Sequence, residues 1–408
     1  MESRADKQVL ADAADHRRQR GTNQSGMRDY NQRLVLSLVR RRGSLSKTDI
    51  ARITGLSTQT ISVIMRELEL DGLLRREAPV RGKVGQPSIP MSLDPNGAYF
   101  FGLKIGRRSA TLVLIDFVGT VLAMHTLRYP FPTPEKTIGF VRRSVSGIQA
   151  SLKAEQNRRI AGLGIAMPFE LWKWADFVGA APGTMDVWRD IDIRAQIAVD
   201  LPFPVYLQND ATSACCAELV FGETGGISDF VYYYIGAFAG GGVVLNQSLY
   251  EGRTGNAGAL GSMPVPGPDG RPAQLIDLAS IAVLEKMLSA SGSRPVDLWT
   301  SPSQWGDLGE ELDDWIGKSG RALAYATLAA STVIDFEAAV IDGWMPPDVR
   351  RRLVETVRTE IVKLDSEGIR LPEIREGTVG HHARALGGAS LPLSDRFLTG
   401  PAVSSKAP

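Results

Sequence analysis

Residues 46–70 read SKTDIARITGLSTQTISVIMRELEL, a run in which two short helical patterns are split by a single glycine. Ser46-Lys47-Thr48-Asp49 has the form of a capping box ahead of Ile50, Ala51 and Ile53, so a helix starts there and Gly55 breaks it. Ser57 is placed to cap the next helix. Its Ile61, Ile64, Met65 and Leu68 form one apolar stripe, while Thr58, Gln59, Thr60, Ser62 and Arg66 fall off it. Helix, tight turn, helix is the helix-turn-helix order, in which the first residues of the second helix reach base edges in the major groove. Gln pairs with adenine and a Thr methyl touches that of thymine, so Thr58, Gln59 and Thr60 are the expected readers. Ser46, Lys47, Ser57, Ser62 and Arg66 are expected as flanking DNA contacts.

Upstream, Leu34, Val35, Leu38 and Val39 recur at helical spacing between Asn31 and Arg42, and Gly43 ends this first helix. Downstream, Leu73 to Glu77 reads as a strand, Arg81 to Gly85 as a loop and Ser88 to Leu93 as a returning strand. Such a hairpin is a wing, and its Arg81, Lys83 and Gln86 are expected to meet phosphates or a minor groove. Charge agrees with this reading. The stretch Met1 to Lys83 holds 17 Lys and Arg against 10 Asp and Glu, and the remainder 29 against 35. A basic front joined to a mildly acidic body points to one part that meets a polyanion. Met1 to Gly26, polar and poor in apolar residues, reads as a mobile leader.

Length and composition bound the rest. A chain of 408 residues holds two or three domains, and 43% hydrophobic with 22% charged residues is an ordinary globular balance. No apolar run reaches the ~18 residues of a membrane span, and the polar start has no signal-peptide core. A cytoplasmic address and no membrane partner are expected. The two cysteines, Cys215 and Cys216, are sequence neighbours, so neither a disulfide framework nor a cysteine zinc site is expected.

After the turn at Asp94-Pro95-Asn96-Gly97, strands are expected at Tyr99 to Ile105, Ala110 to Ile115 and Val121 to Leu127, and a helix at Thr137 to Leu152. Buried strands follow at Ile160 to Ala166 and Val205 to Leu207, then a helix over Ala211 to Leu219 begun at Asp210. A second strand-rich block opens at Phe230 to Ile235 and Gly241 to Leu245, with helices over Leu275 to Ser289, Leu308 to Ile316, Ala322 to Val333 and Pro347 to Leu364. Alternating strands and helices make the body α/β. Two similar lobes around a cleft are its simplest arrangement. The expected organisation is a leader over 1–26, a winged helix-turn-helix over 27–95, a two-lobed body over 96–395 and a tail over 396–408.

Several pieces, in order, carry a resemblance: the winged helix, Gly85-Gln86-Pro87, Gln208-Asn209-Asp210-Ala211, the glycine run Gly236 to Gly242, Gly255-Asn256-Ala257-Gly258, and Ala385-Leu386-Gly387-Gly388-Ala389. From about Asp29 to about Leu393 the chain resembles the ROK family, which groups sugar-responsive repressors with sugar kinases. The resemblance implies an actin-like, hexokinase-type body with sugar in its cleft, and homodimers or homotetramers that pair the DNA-binding heads.

ROK kinases open the first sheet with an Asp-x-Gly-Gly-Thr loop that handles nucleotide phosphates and their metal; here the stretch is Lys104-Ile105-Gly106-Arg107-Arg108-Ser109. Lys104 replaces the aspartate and Arg107 the second glycine, so ATP-magnesium chemistry is not expected, and no cofactor or metal. In the later phosphate loop Ala237 replaces a hydroxyl residue. The family pattern Gly-x-Ala-Gly-Glu-x-Gly-His becomes Gly255 to Ser262, with Ala259 for the glutamate and Ser262 for the histidine, and the cysteine cluster of the family's zinc site is missing. Asn209 and Asp210 carry over intact. In the kinases that aspartate takes the proton of the attacked hydroxyl; without a phosphoryl donor it can still accept sugar hydrogen bonds, and it can also cap the helix that follows.

Asn209, Asp210, backbone groups of Gly258 and Gly261, and Ser262 and Gln274 are the expected ligand contacts. Two readings of the cleft stand: it still binds a sugar or sugar derivative, or its sensing has changed class or disappeared. Arg107 and Arg108 suit a phosphorylated ligand or simple solvation, Trp172, Trp174 and Trp188 suit a sugar face or the core, and His381-His382 suits a surface or cap element better than a metal pair. The whole is expected to be a DNA-binding transcriptional regulator, a repressor, acting on double-stranded operator DNA under control of a sugar bound by a catalytically silent body. The alternatives are a carbohydrate kinase with an appended head, and a regulator that needs no ligand.

Overall fold

A computed structural model of the chain describes residues 24–80, 88–175, 179–292, 298–300, 302–303 and 305–400. Two compact units emerge: Met1–Asp94 with Arg396–Thr399, and Pro95–Asp395 with Gly400–Pro408.

In the first unit, helices α1 (Gln24–Arg42), α2 (Lys47–Thr54) and α3 (Thr58–Leu70) pack with a sheet of β1 (Ser44–Leu45), β2 (Leu74–Arg76) and β3 (Met91–Leu93), ordered β1-β3-β2 and antiparallel throughout. The stripe predicted for α3 is its buried face: Ile61, Ile64, Met65 and Leu68 are buried, as are Val35, Val39, Ile50, Leu74 and Met91 of the elements around it. Both helix starts are built as their sequence implies. Ser46 Oγ accepts the Asp49 N–H at 3.2 Å and Ser57 Oγ accepts that of Thr60 at 3.1 Å. Gly55 closes α2 at φ 71°, a left-handed conformation that costs glycine little. Helix α1 starts at Gln24 rather than Asn31, overlapping the last residues of the expected leader. Its early turns are held by Arg28, which pairs with Glu67, and by Gln32 Nε2, 3.1 Å from the same carboxylate.

The second unit repeats one topology twice. The first lobe has β4 (Tyr99–Ile105), β5 (Ser109–Ile115), β6 (Val121–Arg128), α4 (Pro134–Ser151), α5 (Ala154–Arg158), β7 (Ile160–Ala166), α6 (Val187–Asp190), α7 (Ile193–Ala198) and β8 (Val205–Gln208). Its sheet runs β6-β5-β4-β7-β8: an antiparallel meander, then two parallel strands reached by helical crossovers. Helix α8 (Asp210–Phe221) leads out of it.

The second lobe has β9 (Phe230–Ile235), β10 (Ala239–Leu245), β11 (Ser248–Leu249), the hairpin β12 (Pro264–Pro266) and β13 (Pro272–Gln274), α9 (Ile276–Ala279), α10 (Ile281–Ala290), α11 (Gly309–Ser331), β14 (Ala338–Gly343), α12 (Pro347–Ile361) and β15 (Glu373–Glu376). Its main sheet runs β11-β10-β9-β14-β15, with the same meander and the same two parallel strands. Helix α13 (Ala383–Phe397) follows. Each lobe has its own core, one around Phe101, Leu103 and Leu163, the other around Tyr233, Ile341 and Leu353.

The two closing helices exchange lobes. Helix α8 packs on the second sheet, where side chains on Gly240 and Gly242 would strike Ala211 and Cys215, and α13 packs on the first, where Gly102 and Gly164 meet the backbone of Ala385 and Gly388. The helices touch at Gly387, whose missing Cβ would lie 1.9 Å from the Ser213 carbonyl oxygen. Glycine at these points lets backbones approach as no side chain would. Two expected helix boundaries shift. The Leu308 to Ile316 and Ala322 to Val333 segments are one helix, α11, because Gly320 admits Thr356 of α12 against its backbone. The Leu275 to Ser289 helix is two, broken at Ser280, whose extended backbone separates α9 from α10 while its hydroxyl donates to Ile276 O at 2.5 Å.

Candidate functional site

In the first unit, Thr58, Gln59 and Thr60 form the exposed first turn of α3, the position from which a helix-turn-helix reads bases. Thr60 keeps its hydroxyl 2.8 Å from Ser57 Oγ, so its methyl is the freer group. Lys47, Gln59, Ser62 and Arg66 share one concave surface with β2 and β3. Ser46 is buried at 8% exposure and its hydroxyl donates to Asp49 Oδ2 at 2.6 Å, which makes it a cap rather than a DNA contact. Arg76 is held by Glu69 at 2.7 and 3.1 Å. Arg81, Lys83 and Gln86 lie outside the described residues.

In the body, a cavity of about 310 Å³ lies where α8 and α13 begin. Asn209 is the cap of α8: its Oδ1 accepts the N–H groups of Ala211 at 3.0 Å and Thr212 at 3.4 Å. This corrects the expectation that Asp210 caps that helix, since α8 begins one residue earlier and frees the carboxylate to face the cavity. Asp210 Oδ2 instead accepts a hydrogen bond from Arg384 Nη1 of α13 at 3.1 Å. Burial pulls the Arg384 guanidinium down, but Tyr234 and Asp210 outweigh it and leave it raised; the guanidinium carbon stands 4.9 Å from the Tyr234 ring centre.

The turn between β4 and β5 supplies further cations. Lys104 lies against Gly106 and donates to Ser109 Oγ at 3.0 Å. Its ammonium is lowered to about 7, first by burial and then by repulsion from Arg384 and Arg107, against the pull of Asp210. Arg107 fills the corner between the edge-on rings of Trp174 and Phe238, 3.4 and 3.5 Å from their centres. Tyr129 fixes the turn by donating to Gly106 O at 2.7 Å.

Of the expected ligand contacts, Asn209, Asp210, Gly258, Gly261 and Ser262 line the cavity. Gln274 is not among them: it is exposed on β13, paired across the hairpin with Pro264. Among the tryptophans, Trp174 reaches the cavity. Trp188 is core, donating to Pro132 O at 3.0 Å, and Trp172 packs beside the same core. His381 and His382 form a short turn ahead of α13; burial, His381 and Lys104 lower His382 to about 4. Sequence reasoning missed Arg384, Tyr234, Trp299 and Trp344. Arg384 stands next to the Ala385 to Ala389 motif, and a helix that docks through glycines aims its first turn; that was the available signal.

A winged helix ahead of two duplicated lobes whose closing helices cross beneath a cleft defines a regulator-like head on a sugar-kinase-type body. The body matches the ROK family over residues 100–394, and the chain belongs to that family. The head matches the MarR family over residues 29–83. The uncharacterized protein y4fQ of Sinorhizobium fredii is 24% identical over 91% of this chain and 92% of its own length. The xylose repressor of Caldicellulosiruptor bescii is 25% identical over 59% of each, so this chain aligns with about three-fifths of that relative's length. A solved ROK family transcriptional regulator, a homolog of the Escherichia coli MLC protein, superposes with a TM-score of 0.64 at 20% identity, covering 90% of this chain and 96% of the other. Solved sugar kinases of the family share the fold of the body as well. The fold is thus a MarR-like winged helix followed by a ROK body of hexokinase-like architecture. No helix among the described residues is long and apolar enough to cross a membrane.

Proposed function

We propose that this protein is a transcriptional repressor that binds operator DNA through its winged helix and is controlled by a sugar or sugar derivative in a cleft that performs no catalysis. The observation that carries the reading is the pairing, on one chain, of an exposed Thr58-Gln59-Thr60 turn with a ROK body in which a lysine, Lys104, replaces the kinase aspartate. A cation there repels a metal ion, and with Arg107 beside it the loop has neither the acid nor the flexible glycine that nucleotide handling requires. Relatives named as repressors support the same reading. The protein works in the cytoplasm as a homodimer or homotetramer, since two heads must address the two halves of an operator. Ligand acts by population shift, binding one arrangement of the lobes more tightly than another.

The test uses the purified full chain and DNA from upstream of its own gene. Retardation that weakens with salt is expected, and Gln59→Ala should lower affinity by about tenfold, the scale of one lost bidentate base contact. Absence of any shift overturns DNA reading. Sugar-dependent ATP consumption above background in a coupled assay overturns the non-enzyme reading.

A further inference from the structure

The face of α3 that looks away from the core of the head carries an apolar residue between its polar ones. Ile61, Ile64, Met65 and Leu68 are buried. At about 100° per residue, the line opposite to them runs through Gln59, Val63, Arg66 and Leu70, with Thr58 and Thr60 to either side of it. Val63 stands on that line 53% exposed, one turn beyond Gln59. It shares a concave surface with Lys47, Gln59, Ser62, Arg66 and Ile89, and Ile89 is itself 40% exposed. Lys47 and Arg66 bring positive charge to this surface. Glu69, which also lines it, is held by Arg76 at 2.7 and 3.1 Å, and Glu67 is turned to Arg28 and Gln32 of α1. The surface therefore suits a polyanion that also presents something apolar. Val63 has no group that could bond a phosphate or a polar base edge. What its branched hydrocarbon can meet in a major groove is the C5 methyl of thymine, the apolar feature of the base edges there.

We propose that Val63 is a specificity-determining residue of the winged helix, packing its methyls on the C5 methyl of a thymine in each half of the operator. The inference rests on the reading of the head as a reader of operator DNA and deepens it by one contact. Gln59 and Val63 are four residues apart, about 6 Å along the helix, and base pairs step by about 3.4 Å. The thymine therefore lies one or two base pairs from the adenine that Gln59 takes. Lys47 and Arg66 flank the contact and hold phosphates, which sets the register without reading sequence. Burying one methyl against Val63 favours thymine over a base that lacks it by about fourfold, the fold-change that corresponds to ~0.8 kcal/mol.

The test uses the full chain and the DNA upstream of its own gene, narrowed by footprinting to the protected base pairs. Each thymine of that stretch is replaced in turn by deoxyuridine, which removes the methyl and keeps the pairing edge. The expected result is that one thymine in each half-site, one or two base pairs from the adenine whose identity Gln59→Ala no longer senses, costs about fourfold in affinity when its methyl is removed. Val63→Ser replaces an exposed side chain by one of similar helix propensity, so the variant should melt at the temperature of the wild type. It should bind the unmodified operator about fourfold more weakly and no longer tell thymine from deoxyuridine at that position, while every other position responds as before. A site at which no thymine methyl matters overturns the assignment and leaves the DNA reading standing. So does a methyl that matters equally to the wild type and to Val63→Ser. Failure of the unmodified DNA to bind at all overturns the DNA reading, and this contact with it.

Discussion

Lys104 is the residue on which the chemistry of the body turns, and it makes a prediction about stability in the absence of any ligand. Its ammonium titrates near 7 in the folded chain against an ordinary 10.5, because burial and two guanidinium groups oppose the charge. Between those values the unfolded chain binds more protons than the folded one. Stability contributed through this group therefore rises as pH goes from about 7 toward 10.5, with a slope of up to ~1.4 kcal/mol per pH unit. Lys104→Met removes the group from the linkage. Thermal melts of the two proteins between pH 7 and pH 9 should show wild type gaining on the variant as pH rises, with the buried tyrosines and other groups cancelling in the comparison. Parallel curves would mean that Lys104 is solvated and charged in the folded state. The identity of this residue was legible in the sequence as a departure from the kinase loop. Its depressed ammonium was not, because Arg384 lies 280 positions along the chain and only the fold brings them together.

At the scale of elements, the glycines around α8 and α13 do what local patterns cannot announce. A glycine in a strand reads as a weak point or a turn, yet Gly102 and Gly164 are where α13 lies flush on the first sheet, and Gly387 is where it crosses α8. The first turns of these two helices carry Asp210 and Arg384, so the crossing sets the ion pair. Gly387→Ala would place a methyl 1.9 Å from a backbone oxygen that has no room to move. A loss of at least ~3 kcal/mol is expected, read as a lower melting temperature of the full chain. Gly147 is the control. It sits exposed within α4 with nothing within 4 Å of the added carbon, and Gly147→Ala should raise stability by ~0.5–1 kcal/mol. An unchanged melting temperature for Gly387→Ala would show that the helices do not cross there.

The head's elements were readable because capping and the apolar stripe are local. The start of α1 was not: Gln24 to Tyr30 carries little hydrophobic signal, and that end is held by Arg28 and Gln32 reaching Glu67 of α3. Likewise Gln274 looked like a cleft residue by its place in the family pattern, yet it stands exposed on the hairpin β12–β13.

For the whole molecule, the duplicated lobes matter because the cavity draws its walls from both: Lys104 and Arg107 from the first, Tyr234 and Gly258 from the second, with Asp210 and Arg384 on the crossing helices. A ligand that touches both lobes necessarily discriminates between arrangements that bring these walls together and arrangements that part them. If such a choice governs DNA binding, thermodynamic linkage fixes a reciprocal effect: whatever factor the sugar imposes on operator affinity, the operator imposes on sugar affinity. Couplings of this kind are typically ~1–3 kcal/mol, or about 5- to 150-fold. Titrating a sugar that binds the cleft into the full chain, with and without saturating operator DNA, should therefore show its affinity moving by the factor measured in the mobility-shift experiment, and in the same direction. A sugar that binds equally well in both titrations would mean that pocket and winged helix work independently, and that the body's cleft controls something other than DNA.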